Sequence, residues 1–590
     1  MALPIEDYAL ISNCHSAALV GKNGSIDWLC FPCFDSAACF ASLLGSHENG
    51  HWQIAPQQEF KTIRKYIDDT MVLETTFETV TGSCKIIDCM LMNSENPTLI
   101  RTIEGIEGVV QLDLELTIRF DYGNIVPWVR RNQNTFGINA IAGPDAIVVY
   151  SPIELHGKNL HTAAEFQIES GERKSFTLMW YSSHLPTPCE LEDPYQNLKE
   201  TISWWENWSS RGTYQGFDTP AVKRSLLTLK ALNYQPTGAI VAAPTTSLPE
   251  NIGGVRNWDY RYGWIRDSSF TLLALLSAGH KEEAIRWNDW LLRAVAGTPS
   301  QMNIMYGIRA ERRLTELELD WLSGYENSKP VRIGNDAYTQ FQLDVYGEFL
   351  ASAYLAQENG ITLSDNTWRI SRKMIEFVCN NWQEPDEGIW EIRGPRKHFT
   401  HSKVMAWVAL HYAIESAIQF NLECNLEKWI KVRDEIHQDI CEKGFDKELN
   451  SFVQYYGSKE LDASLLLMSH FGFLPHTDPR IIGTVEAIQK HLMQNGLLLR
   501  YKTQSHVDGL PGNEGCFIAC SFWLVHNLNL IGRHDEAMEL YQYLQSLRND
   551  VGLFAEEYSP VLKRMLGNFP QGLSHIAHIN AAMGYQLPKT

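Results

Sequence analysis

Acidic residues beside tryptophan are the part of this chain best suited to proton-transfer chemistry. Trp390 and Glu391 stand on a connecting segment rich in glycine and proline, within the stretch from 381 to 410. An apolar ring beside a carboxyl raises its pKa and keeps it protonated, and the same ring can stack on the C–H face of a sugar. The pattern predicts a proton donor for a sugar, with Trp390, Arg393 and His398 as candidate substrate contacts.

A second pair of carboxylates lies near the end of the chain. Glu556 and Glu557 stand between Phe554 and Tyr558, an apolar setting for two adjacent charges. Hydrolysis of a glycosidic bond requires one protonated and one ionised carboxyl group on opposite sides of the scissile bond. These residues therefore supply candidates for the ionised partner, and the pattern leaves open which of the two glutamates serves.

Aromatic, arginine and aspartate residues alternate from 256 to 267. We expect Arg266 and Asp267 to hold hydroxyl groups by charge-assisted hydrogen bonds, with Tyr262 and Trp264 as a stacking face. A structural network of ion pairs is the alternative interpretation, and the residues alone do not decide between the two.

Other polar residues are weaker candidates. Gln342 and Asp344 fit a substrate contact and a buried polar network equally well. Glu514 is a possible binding residue that opens a predicted helix, where its charge also suits the helix dipole. Three histidines lie among aromatic and hydroxyl-bearing neighbours, which favours hydrogen-bonded structural roles over metal ligation: His398, His401 and His575. We predict no metal site and no cofactor.

The overall composition excludes some classes of function. The chain has 590 residues and a formal charge of −20, which argues against nucleic acid or an anionic membrane as a partner. No apolar run approaches the roughly 18 residues of a spanning helix. The beginning of the chain has no basic, apolar leader, and the twelve cysteines are scattered. We therefore predict a cytoplasmic protein. The carboxylate and aromatic patterns described above predict that its partner is a small carbohydrate substrate.

Two kinds of secondary structure succeed one another. Short alternating runs bounded by turn residues predict an antiparallel β-sandwich over residues 1–189, with strands at 18–20, 25–31, 71–79, 82–90, 98–106, 110–120, 146–150 and 175–181. Residues 190–218 are predicted to be a helical linker.

Helical periodicity dominates residues 219–590. Twelve helices are predicted, at 219–234, 265–278, 281–296, 336–357, 365–381, 402–420, 425–441, 461–471, 479–494, 514–531, 535–548 and 572–584. Short and long connections alternate between them, and long connections tend to carry function. Six helical hairpins with every long loop at one end describe an (α/α)6 barrel with an elaborated rim.

The residues described above belong to several segments whose order along the chain resembles that in glycoside hydrolase family 15. This family includes the glucoamylases and their trehalase-like relatives. The resemblance covers nearly the whole chain. The N-terminal segments from Ile5 and from Gly24 resemble the family's trehalase-type β domain. Barrel motifs follow at Trp264–Asp267, Gln342–Glu348, Trp390–Glu391 with 398–403, 514–523 and 567–575.

The resemblance implies an inverting exo-acting α-glucosidase. Glu391 would be the general acid, Glu556 the general base, and Arg266 and Asp267 the grip on the terminal glucose. The chain departs from the fungal pattern at Ile392, where a second glutamate is usual, and at Glu557, where glutamine is usual.

Four functions remain open from the sequence. The first is release of β-glucose from α-linked gluco-oligosaccharides, and trehalase is its close alternative. A glycoside phosphorylase and a non-catalytic carbohydrate-binding relative are more distant alternatives. Neither requires a second catalytic carboxylate, so the presence of Glu556 argues against both. An inverting hydrolase should hold its two carboxyl groups about 6.5–9.5 Å apart.

Overall fold

The structure, a computed structural model, describes residues 2–132, 136–361 and 365–584. The first part of the chain forms two antiparallel sheets. Their strands are β1 (Tyr8–Ser12), β2 (Ala17–Gly21), β3 (Ser25–Cys30), β4 (Ala38–Phe40), β5 (His51–Pro56), β6 (Lys61–Tyr66), β7 (Leu73–Glu78), β8 (Gly82–Met90), β9 (Thr98–Thr117), β10 (Trp128–Arg131), β11 (Ile138–Ala142), β12 (Asp145–Tyr150), β13 (His156–Lys158), β14 (His161–Glu169) and β15 (Arg173–Ser182).

The long strand β9 belongs to both sheets. Its first half pairs with β8 and β15, and its second half pairs with β5 and β14. One sheet therefore runs β1-β2-β3-β5-β9-β14-β13 and the other β6-β7-β8-β9-β15-β12-β11-β10. Gly108, at the change of partners, has φ +64°, and an added Cβ would lie 2.2 Å from the Thr81 carbonyl oxygen. The strands predicted at 98–106 and 110–120 are thus one strand.

The second part of the chain is helical. Its helices are α1 (Pro194–Ser209), α2 (Thr219–Ala231), α3 (Ser268–Ser277), α4 (Lys281–Ala294), α5 (Asp344–Glu358), α6 (Asp365–Asn381), α7 (Thr400–Gln419), α8 (Leu426–Lys443), α9 (Pro479–Leu492), α10 (Ile518–Leu530), α11 (His534–Ser546) and α12 (Gly572–Gly584). The helix predicted at 461–471 is instead a short 3-10 helix, Ala463–Leu467. The helix predicted from 336 begins only at Asp344, after a 3-10 turn.

Five α-helices and the 3-10 helix Ala463–Leu467 form a closed inner ring. Neighbours around it are α3, α5, α7, the 3-10 helix, α10 and α12, which returns to α3. Inner helices are buried all round: α7 buries every residue from Thr400 to Leu410, whereas the outer α8 buries only Trp429, Ile436 and Ile440. Helices α5 and α7 approach so closely that a Cβ on Gly347 would lie 2.4 Å from the Met405 carbonyl oxygen. This is the predicted (α/α)6 barrel.

Each long connection leads into the N-terminal end of an inner helix, so all six meet at one rim. The sheets pack against this rim. The indole nitrogen of Trp28 in β3 donates to the Pro244 carbonyl at 2.8 Å, in the loop before α3. Arg64 of β6 donates to Asp550, in the loop before α12, at 2.9 and 2.7 Å. Within the described residues, no helix is both long and apolar enough to cross a bilayer.

Replacing Arg101 with methionine should destabilise the β-sandwich. This fully buried guanidinium pairs with Asp88 at 2.8 Å and donates to the carbonyls of Trp52 and Gly24, so its loss leaves a buried carboxylate and two carbonyls without their donor. Breaking such a pair costs about 3–5 kcal/mol. Urea unfolding followed by circular dichroism measures the change.

The matched control is Arg131→Met. Arg131 pairs with Glu154 at 2.9 Å, but both side chains are more than half exposed. Exposed pairs contribute roughly 0–1 kcal/mol. Equal losses in the two variants would contradict the structural role assigned to Arg101.

Candidate active site

A polar cavity of about 450 Å³ opens at the rim, where the long loops converge. Four predicted site residues line it: Trp264, Trp390, Glu391 and Arg393. The remaining lining residues come from the loops before α3, α5 and α10: Glu250, Arg256, Trp258, Tyr260, Asn335, Ala337, Arg500, Tyr501, Asp508 and Leu510. A larger cavity of about 1140 Å³ lies at the opposite end of the inner ring, but none of its lining residues is acidic. The rim cavity is therefore the candidate site.

Glu391 is held in an unusual backbone conformation. Its φ is +50°, a region that non-glycine residues rarely adopt and that is concentrated at functional sites. Its Oε1 atom accepts hydrogen bonds from the indole nitrogen of Trp264 and from Arg266, both at 3.0 Å. Burial raises the pKa of Glu391, while Arg266 and Trp264 lower it. Because both donors bind Oε1, the other carboxyl oxygen is the one suited to carry a proton.

Arg266 and Asp267 form a pair at the start of α3. The Arg266 guanidinium donates to Asp267 at 2.8 Å, in addition to its contact with Glu391. Asp344, at the start of α5, is fully buried and has no hydrogen-bond partner on its carboxylate among the described residues. Burial, followed by the nearby Asp386 charge, raises the pKa of Asp344 to about 8. Asp344 therefore lies beneath the site as a protonated group at neutral pH.

Trp390 forms one wall of the cavity and is fixed from behind. Its indole nitrogen donates to Asp462 at 2.9 Å, and its ring stacks on Trp523 with 6.1 Å between ring centroids. The Arg500 guanidinium lies 5.4 Å from the ring centroid on the cavity side. Trp390 is thus a rigid aromatic wall beside Glu391, and Arg500 adds a positive charge next to it.

Glu556 is almost fully buried in the loop before α12. The Asn568 amide donates to its Oε2 at 3.2 Å, and Gly567 makes room for this carboxyl, since a Cβ there would lie 2.4 Å from Oε2. The Asn568 side chain accepts from Thr245, the residue after Pro244, at 2.9 Å. Burial raises the pKa of Glu556, and Arg500, the Tyr260 hydroxyl and the Asn568 amide lower it.

Glu557 belongs to a separate cluster of buried charges. Its carboxylate and those of Glu250 and Glu514 lie within 4.8 Å of one another. Arg500 lies among them, at 3.0 Å from Glu250, 2.6 Å from Glu514 and 3.7 Å from Glu557. Arg256 lies 3.5 Å from Glu514. Arg500 already compensates these carboxylates, so they form an ion-pair cluster. Glu250 and Arg500 of this cluster line the cavity, and Glu514 and Glu557 are not among its lining residues.

The raised pKa values of two carboxyl groups in this cluster favour their protonated forms, which reduces the negative charge that Arg500 does not compensate. Burial raises the pKa of Glu250 to about 8. Burial together with Glu250 and Glu514 raises the pKa of Glu557 well above its ordinary range. Burial and the two neighbouring carboxylates therefore favour the protonated form of Glu557.

Three predicted contacts lie elsewhere. Tyr262 donates to Asp259 at 3.2 Å and lines a different surface, facing the sheets. Gln342 donates to Gln340 behind the Glu391 loop, and His398 is exposed and stacks on Tyr456. The structure does not bring these three side chains into the rim cavity.

The other two histidines are buried away from the cavity. His575 accepts from the Phe554 amide at 3.2 Å and contacts Ser225 at 2.8 Å, as a structural histidine would. His401, in contrast, has no hydrogen-bond partner on either ring nitrogen among the described residues.

Several residues of the cavity were missed by sequence reasoning. Tyr260 lies two positions before Tyr262, and the electrostatic effects of both Glu556 and Glu391 reach its hydroxyl. Arg500 lowers the pKa of both catalytic candidates. Alternation in the segment 256–267 could not have identified Tyr260, because Tyr260 and Tyr262 both share parity with Trp264. Arg500 stands in a loop without a distinctive pattern.

Comparison with known proteins assigns this arrangement to a family. The profile of Glycosyl hydrolases family 15 matches residues 216–583, and that of the Trehalase-like, N-terminal domain matches residues 1–178. The chain belongs to glycoside hydrolase family 15. The resemblance deduced from the motifs is therefore confirmed, and the protein is a glycosidase.

Members of the family resemble this chain over nearly its whole length. It is 37% identical to a trehalase of Mycolicibacterium smegmatis, covering 98% of this chain and 91% of that protein. It is 36% identical to a trehalase of Thermoplasma acidophilum, covering 96% and 97%. A bacterial glucoamylase complexed with acarbose has the same fold, with a TM-score of 0.72 at 14% identity over 99% of this chain and 94% of that one.

Replacing Trp264 with phenylalanine should move the alkaline limb of the pH–activity profile to higher pH. The indole hydrogen bond lowers the pKa of Glu391, so its removal raises that pKa. A general acid works below its pKa, and the protonated form then persists to higher pH. Initial rates from pH 4 to 10 measure kcat/KM, which should also fall.

Trp390→Phe is the matched control, because the Trp390 indole donates to Asp462 rather than to Glu391. Its alkaline limb should stay in place while kcat/KM falls. An alkaline limb that moves equally in both variants would contradict the assignment of that limb to Glu391.

Proposed function

We propose that this chain is a trehalase, which hydrolyses α,α-trehalose with inversion at one anomeric carbon. The observation that carries this choice is the similarity to trehalases along nearly the entire chain, sheets and barrel together. Glucoamylase-type cleavage of malto-oligosaccharides, our first expectation from the motifs, is the second candidate. The rim cavity supports hydrolysis in either case.

Glu391 acts as the general acid in this proposal. Its burial favours the protonated form, and Glu391 lines the cavity while Trp264 and Arg266 both hold its Oε1. Proton transfer to the bridging oxygen releases one glucose as the bond breaks. Arg266, held by Asp267, then stabilises the carboxylate that forms on Glu391.

Glu556 acts as the general base. Arg500, Tyr260 and Asn568 favour the ionised form of Glu556, because they lower its pKa and so oppose the increase that burial causes. Its Oε1 atom is buried without a well-directed hydrogen bond from a described residue, so it is free to accept one from a water molecule. That water attacks the anomeric carbon from the face opposite Glu391, and Glu556 takes its proton.

The outer end of the cavity supports a short substrate. Trp258 lies between the guanidinium groups of Arg332 and Arg393, 4.6 and 5.0 Å from its ring centroid. Glu316 pairs with both arginines, at 3.1 and 2.9 Å. This bridge joins the loops before α3, α5 and α7 at that end of the cavity. A disaccharide suits such a site better than a long glucan.

Hydrolysis of trehalose should release equal initial amounts of α- and β-glucose. The attacked ring inverts to the β-anomer, while the leaving ring keeps its α-configuration. Time-resolved proton NMR of the purified protein with trehalose, before mutarotation, measures the ratio. Maltose, maltotriose and isomaltose are the comparison substrates, each with and without inorganic phosphate.

Each other outcome has a definite meaning. Initial release of α-glucose alone from trehalose would contradict inversion. Faster cleavage of maltose than of trehalose would favour the glucoamylase-type function. A requirement for phosphate with a glucose phosphate as product would identify a phosphorylase, and binding of trehalose without cleavage would identify a non-catalytic relative.

The two proposed catalytic glutamates should be distinguishable from Glu557 by amide substitution. We expect Glu391→Gln and Glu556→Gln to lower kcat by about 10²–10⁴-fold, because each loses a proton-transfer group. Glu557→Gln is the isosteric control. Since burial and neighbouring carboxylates favour the protonated form of Glu557, an amide resembles that form, and we expect this variant to retain kcat within about 10-fold.

Circular dichroism and trehalose binding establish that the variants are folded. If Glu557→Gln loses activity and Glu556→Gln remains active, the general base is Glu557 and not Glu556.

A further inference from the structure

Three neighbouring strands of the first sheet bring two histidines and a glutamate together, far from the barrel's inner ring. His51 of β5 is paired with Thr117 of β9, and the register of β14 places His161 on the other side of Thr117. Glu115 stands two residues before Thr117 on β9, so its side chain shares the same face of the sheet. Directly paired positions on one face lie within about 5.5 Å.

A further histidine, His47, lies in the segment just before β5 and contacts His51. His47 begins a short 3-10 helix, and its ring stacks on that of His51 with 4.1 Å between ring centroids. Ligand atoms of His47, His51 and Glu115 all lie within 4.8 Å of one another. Two imidazole nitrogens and one carboxylate oxygen therefore lie close enough for one ion to reach all three once the His47 ring turns out of the stack.

The hydrogen bonds of His51 leave an unfavourable contact at that point. Its Nδ1 lies 3.1 Å from the His47 carbonyl oxygen, which can only accept, so Nδ1 carries the ring hydrogen. The Nε2 atom then has a bare lone pair, and it faces Oε1 of Glu115 at 3.6 Å. His51 is fully buried, and its Nε2 has no hydrogen-bond partner among the described residues. Two acceptor atoms thus face each other with no hydrogen between them.

A cation at this point would satisfy both acceptors. A second proton on His51 is the alternative, but it would place a charge on a fully buried ring stacked against another imidazole, which carries a desolvation penalty. A metal ion bound by both imidazoles and the carboxylate shares its charge among three ligands. Two histidines and one carboxylate suit zinc, whereas magnesium and calcium prefer oxygen ligands.

We propose that His47, His51 and Glu115 form a structural site for zinc or a similar divalent transition metal, with water as the fourth ligand. Tetrahedral bonds of about 2.1 Å require ligand atoms roughly 3.4 Å apart. Rotation of His47 out of its stack on His51, with a smaller movement of Glu115, would bring the ligands to that spacing. Both side chains are only partly buried, so they have room to move. This departs from our sequence-based expectation of no metal site.

His161 and Glu48 surround the proposed site without being needed as ligands. His161 contacts Thr117 at 2.5 Å, Glu48 at 3.2 Å and Glu115 at 3.7 Å. Contacts of this kind orient metal ligands in known sites. The carboxylate of Glu115 is therefore already directed toward the two imidazoles.

The metal would fasten the segment 42–50 to the sheet. This segment touches the barrel: the Leu44 carbonyl accepts from the Gly324 amide at 2.9 Å, and a Cβ on Gly45 would lie 3.2 Å from the Leu322 side chain. Gly324 belongs to the loop before α5 that also carries Glu316. A bound metal ion would therefore stabilise the contact between the sheets and the barrel. The test of this proposal does not depend on which substrate the enzyme hydrolyses.

Metal titration of the purified full-length chain tests the proposal. After treatment with a chelator, the protein is titrated with zinc against a chromophoric competitor and, separately, with cobalt(II). We expect one tight equivalent of zinc, a higher melting temperature, and a tetrahedral cobalt spectrum without a thiolate charge-transfer band. The thiolate control matters because Cys189 is exposed. Magnesium should neither bind tightly nor raise the melting temperature.

Variants assign the bound metal to these residues. His47→Gln and Glu115→Gln should each weaken zinc binding by at least roughly 100-fold, and both change partly exposed side chains, so folding should persist. His156→Gln is the matched control, because His156 lies 3.9 Å from Glu154 on the same domain without a second imidazole. The proposal is overturned if the unaltered chain binds no zinc tightly, or if binding survives both substitutions.

Discussion

Burial of carboxyl groups in excess of guanidinium groups is the constraint on which the site depends. The cavity and the adjoining ion-pair cluster contain Glu250, Glu391, Glu514, Glu556 and Glu557, with Arg256, Arg266 and Arg500 as the nearest cations. Desolvation penalises every uncompensated charge, so protons must remain on some of these carboxyls at neutral pH. Which carboxyls keep a proton is decided by the hydrogen-bond donors that each receives. The same physical effect thus separates acid, base and structural carboxyl from otherwise similar glutamates.

The barrel makes this arrangement possible by keeping its loops in place. Inner helices such as α7 are buried on all sides, so they cannot rotate or shift without losing contacts in several directions. The loops that enter them are anchored at both ends, and side chains such as Trp390 are fixed from behind by Asp462 and Trp523. A strained residue like Glu391 is tolerated because its surroundings hold it in one conformation.

Periodicity predicted the fold better than it predicted the site. Alternation of short and long connections gave the barrel, because it depends on many elements and not on one boundary. The 3-10 helix at Ala463–Leu467 was predicted as an ordinary helix, since burial pattern alone does not distinguish the two helix types. The sequence predicts a break in strand β9 at residues 107–109, because a strand that changes sheets exposes its middle and resembles a turn.

The site shows the same limit at the level of single residues. Trp264, Arg266 and Glu391 were predicted together, since their residue types are unusual and their loops adjoin helices. Tyr260 and Tyr262 were not told apart, because which of two aromatic rings faces the cavity depends on how the loop packs against the sheets. Arg500 becomes recognisable only when its three carboxylate neighbours, distant in sequence, are seen together.

The hydrogen bond from Trp28 to Pro244 gives the β-sandwich a part in the chemistry of the barrel. Pro244 adjoins Thr245, whose hydroxyl holds Asn568, and the amide of Asn568 holds Glu556. The position of the proposed base is therefore inherited from a residue in the third strand of the chain, more than 500 positions earlier in the sequence. A barrel cut free of its sheets would keep every catalytic side chain and lose the support that orients one of them. The sheets are consequently part of the support for the proposed base, although none of their residues lines the cavity.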